Sequence, residues 1–372
     1  MTVTSAPYFS FDVPADLNFP RAYGEAVCTA LVRAEPEDFQ VDEIMALDFD
    51  GSGEHLCLLI RKRNQNTRWL AAEIASRLDL PESAVGYCGL KDRRAVTTQW
   101  FSIHLPNHGS AIPYTSEHAA HHQATQDKRV LQKLHFDECE ILVSHRHGKK
   151  LRRGMHAGNR FKLRLKQVVG DRDAIQQRLE QIAQRVPNYF GEQRFGIDGQ
   201  NLVHADKLLR KTRVRGGGRN GIYLSAARSY LFNQILAARV TQHCWTTLLP
   251  GQNFGTSPNV DIGINPDLPL GVDPGKTTPT EAPLDGALWG RGRASAPAQV
   301  ERFESEVLAT WADWLTSLEH CGLSQQRRAL VLEAKNFETL WEGGDLVLNF
   351  ELPVGAYATA LLRELVVARA AP

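Results

Sequence analysis

Residues 86–101 constrain the fold of this 372-residue chain most strongly, because a charged loop runs there directly into an apolar strand. The loop, Gly-Tyr-Cys-Gly-Leu-Lys-Asp-Arg-Arg, places one carboxylate, Asp92, between Lys91 and two arginines. Gly89 allows a tight turn, and the apolar run at 100–105 predicts a strand. Cations on both sides favour an ionised carboxylate, which suits a nucleophile or an electrostatic stabiliser better than a proton-donating acid. By its charges alone, such a run is more often a solvated turn.

Length and composition limit the organisation of the chain. At about 100–200 residues per domain, two or three domains are expected. Lys+Arg 43 against Asp+Glu 42 gives a net charge of +1, so any affinity for nucleic acid has to come from local clusters of charge. Six scattered cysteines without a Cys-x-x-Cys pair predict reduced thiols and no zinc site, and we expect no other bound metal.

Export and membrane insertion are not indicated by any segment. The first 20 residues lack a basic stretch followed by an apolar core, and no window approaches the ~20 apolar residues of a membrane span. We therefore expect a cytoplasmic protein. The same residues, 1–20, are rich in proline and aromatic side chains without a period and predict a poorly ordered arm.

Elsewhere the patterns predict ordinary elements. Leu70, Ile74 and Leu78 share one face of a helix for which Thr67 is a plausible cap. Residues 107–135 have weak periodicity and predict a surface excursion.

A second informative block covers residues 145–168. It begins as a basic, glycine-containing loop and continues as a strict alternation, in which Phe161, Leu163 and Leu165 face one way and basic residues the other. Nine Lys or Arg residues within 21 predict a local anion-binding surface. The candidate phosphate-binding residues of the loop are Lys149, Lys150, Arg152 and Arg153.

A second basic loop lies at residues 210–219, Arg-Lys-Thr-Arg-Val-Arg-Gly-Gly-Gly-Arg. Three glycines and five cations suit contacts with backbone phosphates better than recognition of bases. Arg213 and Arg215 are its candidate phosphate-binding residues.

An acidic run between residues 35 and 43 admits a different function. Glu37, Asp38 and Asp42 could hold the metal of a nuclease. Phe39 and Val41 alternate with these carboxylates, however, so the run is more typical of one solvated face of a half-buried strand.

The loop around Asp92 has the sequence Gly-Leu-Lys-Asp-Arg-Arg-Ala-Val-Thr-Thr-Gln-Trp. This sequence resembles the catalytic motif of the TruD family of tRNA pseudouridine synthases. Val-Pro-Asn-Tyr-Phe-Gly-Glu-Gln-Arg-Phe-Gly, from Val186, resembles the start of that family's inserted domain. Further agreements occur in order near residues 36, 159, 225 and 353, so the resemblance covers nearly the whole chain.

This resemblance implies an α+β fold. A mixed-sheet pseudouridine synthase catalytic domain, residues 1–185 plus 332–372, would be interrupted by an inserted α/β TRUD domain, residues 186–331. It also implies tRNA as the partner and no cofactor, and we expect a monomer.

The resemblance also assigns roles around the catalytic residue. Asp92 corresponds to the nucleophile, and Arg363 loosely to the cation that orients it. Lys91 belongs to the same motif, and Arg33 and Phe39 match the motif that lines the base pocket.

Three more residues are assigned to substrate by the resemblance. Asn159 corresponds to the residue that contacts the nucleotide, and Phe161 to an aromatic ring that stacks on the base. Tyr357 stands where family members usually carry Phe, so its hydroxyl departs from the pattern while its ring can still stack.

The implied reaction is isomerisation of uridine to pseudouridine in tRNA, at position 13 if the chain follows the bacterial family. Attack by Asp92 at ribose C1′ or at uracil C6 remains open. The alternative is a non-catalytic tRNA-binding protein or RNA chaperone, which would keep its activity when Asp92 is changed to Asn.

Overall fold

The computed structural model of the chain describes residues 16–105, 116–210, 218–249, 284–292 and 296–369. Its strands are β1 (Cys28–Val32), β2 (Phe39–Ile44), β3 (His55–Arg63), β4 (Val85–Tyr87), β5 (Val96–His104), β6 (Cys139–His147), β7 (Gly158–Gly170), β8 (Val186–Pro187), β9 (Asp285–Leu288), β10 (Gln326–Ala329), β11 (Val331–Leu332), β12 (Lys335–Glu342), β13 (Asp345–Pro353) and β14 (Val366–Arg369). Its α-helices are α1 (Thr67–Arg77), α2 (Ser116–Lys133), α3 (Arg172–Gln184), α4 (Gln200–Leu209), α5 (Gly218–Thr241), α6 (Ala298–Val307), α7 (Ala312–His320) and α8 (Ala358–Leu365).

Ten strands form one mixed sheet. Its main path runs β12-β13-β7-β2-β5-β3-β6, while β1 pairs with β7 and β14, and β4 pairs with β5. The β2–β5 and β1–β14 pairs are parallel, and the other pairs are antiparallel. The mixed sheet with its helices confirms the predicted α+β class.

The alternating sequence of β7 explains its central place. Phe161, Leu163 and Leu165 are buried in one hydrophobic cluster with residues of β13, α3 and α8. The intervening basic residues point away from that cluster, as the period-2 pattern predicts. Strand β5 is buried along nearly its whole length, so the loop that precedes it is carried by a rigid element.

Residues between β8 and β11 contribute most of a second hydrophobic cluster, which contains buried side chains of α4, α5 and α7. The chain leaves for this part and returns from it through adjacent strands, since Val186 pairs with Leu332. The predicted boundaries at 186 and 332 coincide with this strand pair, and the division into two domains stays a prediction.

Residues 16–20, the first that the structure describes, are anchored to the rest of the protein. Residues 16–20 were expected within a poorly ordered arm, but Phe19 is buried and stacks on Tyr189, with ring centroids 5.4 Å apart. The prediction was wrong there because it considered only local composition. The energy that orders this segment comes from a ring 170 positions along the chain.

Two local predictions also need correction. Residues 107–135, predicted as a surface excursion because of their weak periodicity, contain α2, an 18-residue helix. Thr67 does not cap α1, because the N-cap is Asn66, whose side chain accepts a hydrogen bond from the Arg68 backbone nitrogen. This frees the Thr67 hydroxyl for contacts described below.

Candidate active site

Asp92 pairs with a cation that lies far from it in sequence. Nη2 of Arg33 donates to Oδ2 of Asp92 at 3.1 Å, and the two side chains are 21% and 32% exposed. Burial lowers the pKa of Arg33, and the charge of Asp92 opposes that shift. The Arg33 guanidinium carbon also lies 3.6 Å from the centroid of the Phe39 ring. One arginine therefore contacts both the predicted nucleophile and the predicted base pocket.

A side-chain amide lies across the same ion pair. With the Gln193 amide oriented to satisfy both neighbours, its nitrogen donates to Asp92 Oδ1 at 3.2 Å and its oxygen accepts from Arg33 Nη1 at 3.2 Å. Gln193 belongs to a short 3₁₀ turn, Glu192–Phe195, in the part of the chain between β8 and β11. The site is thus assembled from both halves of the predicted division.

The loop that carries Asp92 is fixed by two buried polar side chains. The Lys91 backbone nitrogen donates to Thr67 Oγ1 at 3.0 Å, and Thr67 donates in turn to Gln99 Oε1 at 2.7 Å. Nε2 of Gln99 donates to the Gly89 carbonyl oxygen at 2.9 Å. The first turn of α1 and the middle of β5 therefore hold the loop backbone immediately before Asp92.

The Lys91 side chain points into the protein. Its Nζ lies 2.7 Å from Glu43 Oε2, and both side chains are almost fully buried. The other oxygen of Glu43 accepts a hydrogen bond from the Trp100 backbone nitrogen at 3.1 Å. Lys91 was predicted to bind substrate, but this geometry gives it a structural partner beneath the loop.

A third support comes from the basic loop between β6 and β7. The Gly154 nitrogen donates to the Cys88 carbonyl oxygen at 2.9 Å. His156 packs so closely on Gly89 that a Cβ there would lie 3.2 Å from its ring. Burial, followed by the charge of Lys91, lowers the pKa of His156 to about 3. The imidazole is therefore neutral near pH 7.

The predicted pairing of Arg363 with Asp92 is corrected by the structure. The Arg363 guanidinium donates to the carbonyl oxygens of Phe19 and Pro20, and it lies 3.1 Å from its neighbour Glu364. These hydrogen bonds hold the Arg363 side chain against residues 19 and 20 near the start of the chain. The match rested on a motif position in α8, and sequence position does not determine where a long arginine side chain ends.

Two of the predicted stacking rings, Phe39 and Phe161, are buried next to each other, and Phe39 is the one that contacts Arg33. Phe39 and Phe161 are only 2% and 7% exposed and meet edge to face. Phe161 also stacks on Phe350, with centroids 5.3 Å apart. Because Arg33 covers one face of Phe39, a base could stack on that face only after Arg33 moves.

The remaining predicted substrate contacts, Asn159 and Tyr357, differ in whether their polar atoms already have hydrogen-bond partners. Oδ1 of Asn159 is buried without a hydrogen-bond partner, which is unusual for an amide oxygen. The Tyr357 hydroxyl accepts from Arg194 Nη2 at 2.9 Å. Arg194 directly follows Gln193, so one turn links Tyr357 to the Asp92 pair.

The basic block divides into two parts with different surroundings. In the loop, Lys149 and Arg152 are exposed, Lys150 bonds the Ser83 carbonyl oxygen, and Arg153 lies 6.0 Å from the Tyr87 ring centroid. This loop adjoins the Asp92 loop, where Arg93 and Arg94 are also exposed. The predicted phosphate contacts Arg213 and Arg215 lie outside the described residues.

On β7 the expected anion-binding face is largely occupied. Arg160 pairs with Glu351 at 2.8 Å, and Arg164 lies 2.5 Å from Glu342. The fourth cation of the alternation, Lys166, lies 2.8 Å from Glu35 and 3.1 Å from Asp38. The neighbouring strands and the turn before β2 therefore supply carboxylates to three of the four cations on this face.

The acidic run is likewise engaged in ion pairs. Glu37 accepts from Arg63 at 2.6 Å, and Asp38 faces Lys166. Within the described part of the chain, no three His, Cys, Asp or Glu side chains are grouped to hold a metal ion. None of the described helices is long and apolar enough to cross a membrane.

Comparison with known proteins identifies the family. The family model described as tRNA pseudouridine synthase D (TruD) matches residues 22–212 and 219–365. The chain belongs to the TruD family of tRNA pseudouridine synthases. Such enzymes are isomerases, and the resemblance seen at the Asp92 loop therefore extends over most of the chain.

Curated TruD relatives are similar over nearly their full length. The tRNA pseudouridine synthase D of Cellvibrio japonicus is 41% identical over 354 residues, which cover 94% of this chain and 93% of the relative. The protein of the same name from Xanthomonas campestris pv. campestris (strain B100) is 40% identical, with 93% and 94% covered.

A solved structure supports the TruD fold. The crystal structure of the putative tRNA pseudouridine synthase D from Methanosarcina mazei superimposes with a TM-score of 0.61 at 20% identity. The match covers 93% of this chain and 95% of the other. At that identity the similarity concerns the fold alone.

Several residues of the TruD site were missed by sequence reasoning. Thr67 was interpreted only as a cap, Glu43 only as part of a solvated acidic run, and Gln193 only as one letter of a motif. Gln193 lies within a quoted motif and Glu43 at the end of a quoted run, so a signal was present for these two residues. Its meaning depended on which distant element the side chain reaches.

Proposed function

We propose that this TruD-family enzyme converts uridine 13 of tRNA to pseudouridine with Asp92 as the nucleophile. The observation that carries the proposal is a partly exposed carboxylate, paired with Arg33 at 3.1 Å, on a loop whose backbone is held by Thr67 and Gln99. A nearby cation favours the ionised form that a nucleophile needs. A rigid support keeps the attacking oxygen in place.

The target uridine has to leave the RNA stack to reach Asp92, at a cost of a few kcal/mol. Exposed cations flank the site, on the basic loop at Lys149 and Arg152 and beside the nucleophile at Arg93 and Arg94. Their attraction for backbone phosphates offsets the cost of flipping. Lys150 and Arg153 extend this proposed RNA-binding surface. Arg213 and Arg215, which lie outside the described residues, stay proposed phosphate contacts on the ground of the sequence alone.

Inside the pocket, Asn159 supplies the first polar contact. Its unpartnered Oδ1 is a hydrogen-bond acceptor, and uracil N3–H is a donor that would satisfy it. Phe39, Phe161 and Tyr357 provide aromatic surface around the base. For the base to stack on Phe39, the Arg33 guanidinium moves off the face of the Phe39 ring while it keeps its hydrogen bonds to Asp92 and Gln193.

The reaction needs no external reactant. Asp92 attacks ribose C1′ or uracil C6, the bond between C1′ and N1 breaks, and the base turns in the pocket. A new bond forms between C1′ and C5, the C5 proton leaves, N1 is protonated and the carboxylate is released. The C5 proton needs a base. The Tyr357 hydroxyl is our candidate, because the Arg194 cation donates to its oxygen at 2.9 Å.

The test is a single-turnover incubation of the protein with a tRNA transcript in EDTA, scored by carbodiimide-dependent reverse-transcription stops. The wild type should convert uridine 13 and leave a transcript with cytidine at 13 unmodified. Asp92→Asn should convert none. Asp79→Asn is the matched control, because Asp79 is exposed and has φ +55°, which Asn tolerates.

Other outcomes separate the alternatives. Conversion at another uridine would overturn the proposed position. Full activity of Asp92→Asn would overturn the nucleophile. Binding of tRNA without conversion of any uridine would favour the non-catalytic RNA-binding protein.

A further inference from the structure

We infer that Gln193 is a positioning residue that fixes Asp92 and Arg33 relative to each other, a role that rests on the function proposed above. Its amide nitrogen donates to Asp92 Oδ1 and its amide oxygen accepts from Arg33 Nη1, both at 3.2 Å. The Arg33–Asp92 bond uses the other oxygen and the other guanidinium nitrogen, at 3.1 Å. The three side chains therefore close a ring of three hydrogen bonds.

An amide is suited to this place by its polarity. It presents a donor to the carboxylate and an acceptor to the guanidinium at the same time. A glutamate would turn a second carboxylate toward Asp92, and a lysine would turn a second cation toward Arg33. A leucine would fill the volume and make neither bond. The ring thus explains why glutamine, among side chains of this size, fits between the two charges.

The turn that carries Gln193 is itself well anchored. Phe195 is 1% exposed in the second hydrophobic cluster. Arg194 donates to Ser225 Oγ at 3.1 Å and to the Tyr357 hydroxyl at 2.9 Å, and Asn201 Nδ2 donates to its carbonyl oxygen at 3.2 Å. The position of Gln193 is therefore set by α4, α5 and the segment before α8. Through it, the part of the chain between β8 and β11 acts on the nucleophile.

Gln193 is exposed in the free protein. Water competes with its hydrogen bonds there, so they add little to folding stability. Bound RNA would exclude that water and strengthen the same bonds during the reaction. We therefore expect the residue to affect turnover and not folding.

The experiment compares Gln193→Leu and Gln193→Glu with wild type in single-turnover kinetics on the same tRNA transcript. Loss of alignment of an attacking group costs up to about 100-fold in rate, so the rate at saturating tRNA should fall about 10- to 100-fold in Gln193→Leu. The tRNA dissociation constant should change less than about threefold, because neither hydrogen bond reaches the RNA. Gln193→Glu should be at least as slow as Gln193→Leu, since repulsion moves Asp92.

A matched control and a coupling measurement complete the design. Gln176→Leu removes an exposed glutamine that donates to Glu180 on α3 and takes no part in the ring, so it should keep wild-type rates. Tm should stay within about 2 °C of wild type in all three variants. Combining Gln193→Leu with Arg33→Ala should slow the reaction less than the product of the single effects, because both break one ring.

The outcomes distinguish this inference from the proposed function. If wild type makes no pseudouridine, the proposed function has failed and the inference with it. If wild type is active and Asp92→Asn is not, then unchanged rates in both Gln193 variants overturn the inference alone. A change confined to tRNA affinity, or rates that are multiplicative with Arg33→Ala, also overturns it.

Discussion

Arg33 joins two features of the site at one residue. It pairs with Asp92 and covers the ring of Phe39, and its backbone has φ +56°. A non-glycine residue in this left-handed region is uncommon. The guanidinium takes the place next to Asp92 that the sequence assigned to Arg363.

Arg33→Ala should lower the single-turnover rate about 100-fold, because Asp92 loses both its counter-charge and its alignment. Arg363→Ala should instead lower Tm and leave the rate of the folded protein within a few fold, since its bonds go to the chain start. Single-turnover kinetics and thermal unfolding of both variants check this. The expectation fails if Arg363→Ala is the slower of the two while Tm is unchanged.

His156 gives the site a specific response to acid. Its pKa is lowered to about 3 by burial and then by Lys91, so between pH 6.5 and 3 the unfolded chain binds more protons than the folded one. Stability then rises with pH, and it is lost as pH falls through this window. Relative to His156→Leu, the wild type should lose about 1.4 kcal/mol of unfolding free energy per pH unit well below pH 6.5.

Urea unfolding of the wild type and His156→Leu at pH 7, 6 and 5 measures that difference, in which the other titrating groups largely cancel. Parallel curves for the two proteins would show that His156 is not buried in its neutral form.

At the scale of elements, the loop at Asp92 depends on its neighbours for shape. The first turn of α1 and strand β5 hold the backbone of residues 89–91 through Thr67 and Gln99. A charged loop with a glycine could be predicted from sequence as a loop. Its fixed conformation depends on Thr67 of α1, which lies 24 positions before Lys91, and on Gln99 of β5, which follows the loop.

Thr67→Val keeps the volume of the side chain but removes the hydroxyl. It leaves the Lys91 nitrogen and the Gln99 side chain without their partner, which should cost about 1–3 kcal/mol of unfolding free energy. The single-turnover rate should fall about tenfold as the loop loosens. Thr316→Val is the control, because its hydroxyl lies exposed on α7. Wild-type stability and rate in Thr67→Val would contradict the assigned anchoring.

The sequence predicts correctly those elements that depend on a local pattern. It does not predict features that depend on residues distant in the chain. Strand β7 follows from its alternation, and α1 from the spacing of Leu70 and Ile74. The basic face of β7 was expected to bind anions, yet Glu351 and Glu342 on neighbouring strands pair with Arg160 and Arg164 there. Alternation determines which side chains share a face, but it gives no information about the strand or turn that faces them.

At the scale of the molecule, the two ends of the chain meet in one sheet. Strands β1 and β14 pair in parallel, and β13 pairs with β7. Before it enters β1, the chain contacts the second hydrophobic cluster, where Phe19 stacks on Tyr189. The segment before β1 therefore connects the sheet to the part that contributes Gln193.

Phe19→Ala should lower the free energy of unfolding by about 3–5 kcal/mol, because it removes a buried ring and leaves a cavity. Asn18→Ala should stay within about 0.5 kcal/mol, since that side chain is exposed. Urea unfolding of the two variants beside wild type measures the contrast. Equal stability of the variants would mean that the chain start does not support the second cluster.

The sequence by itself determined the family, the α+β class, the loop that carries Asp92 and the alternation of β7, because motifs and periodicity are properties of neighbouring residues. Tertiary structure alone decided that Arg33, 59 positions away, pairs with Asp92, and that Arg363 does not. It also decided that Gln193 reaches the same pair from the other half of the chain. Long side chains find partners by distance in space, and that distance is set by sheet register and by packing between elements far apart in sequence.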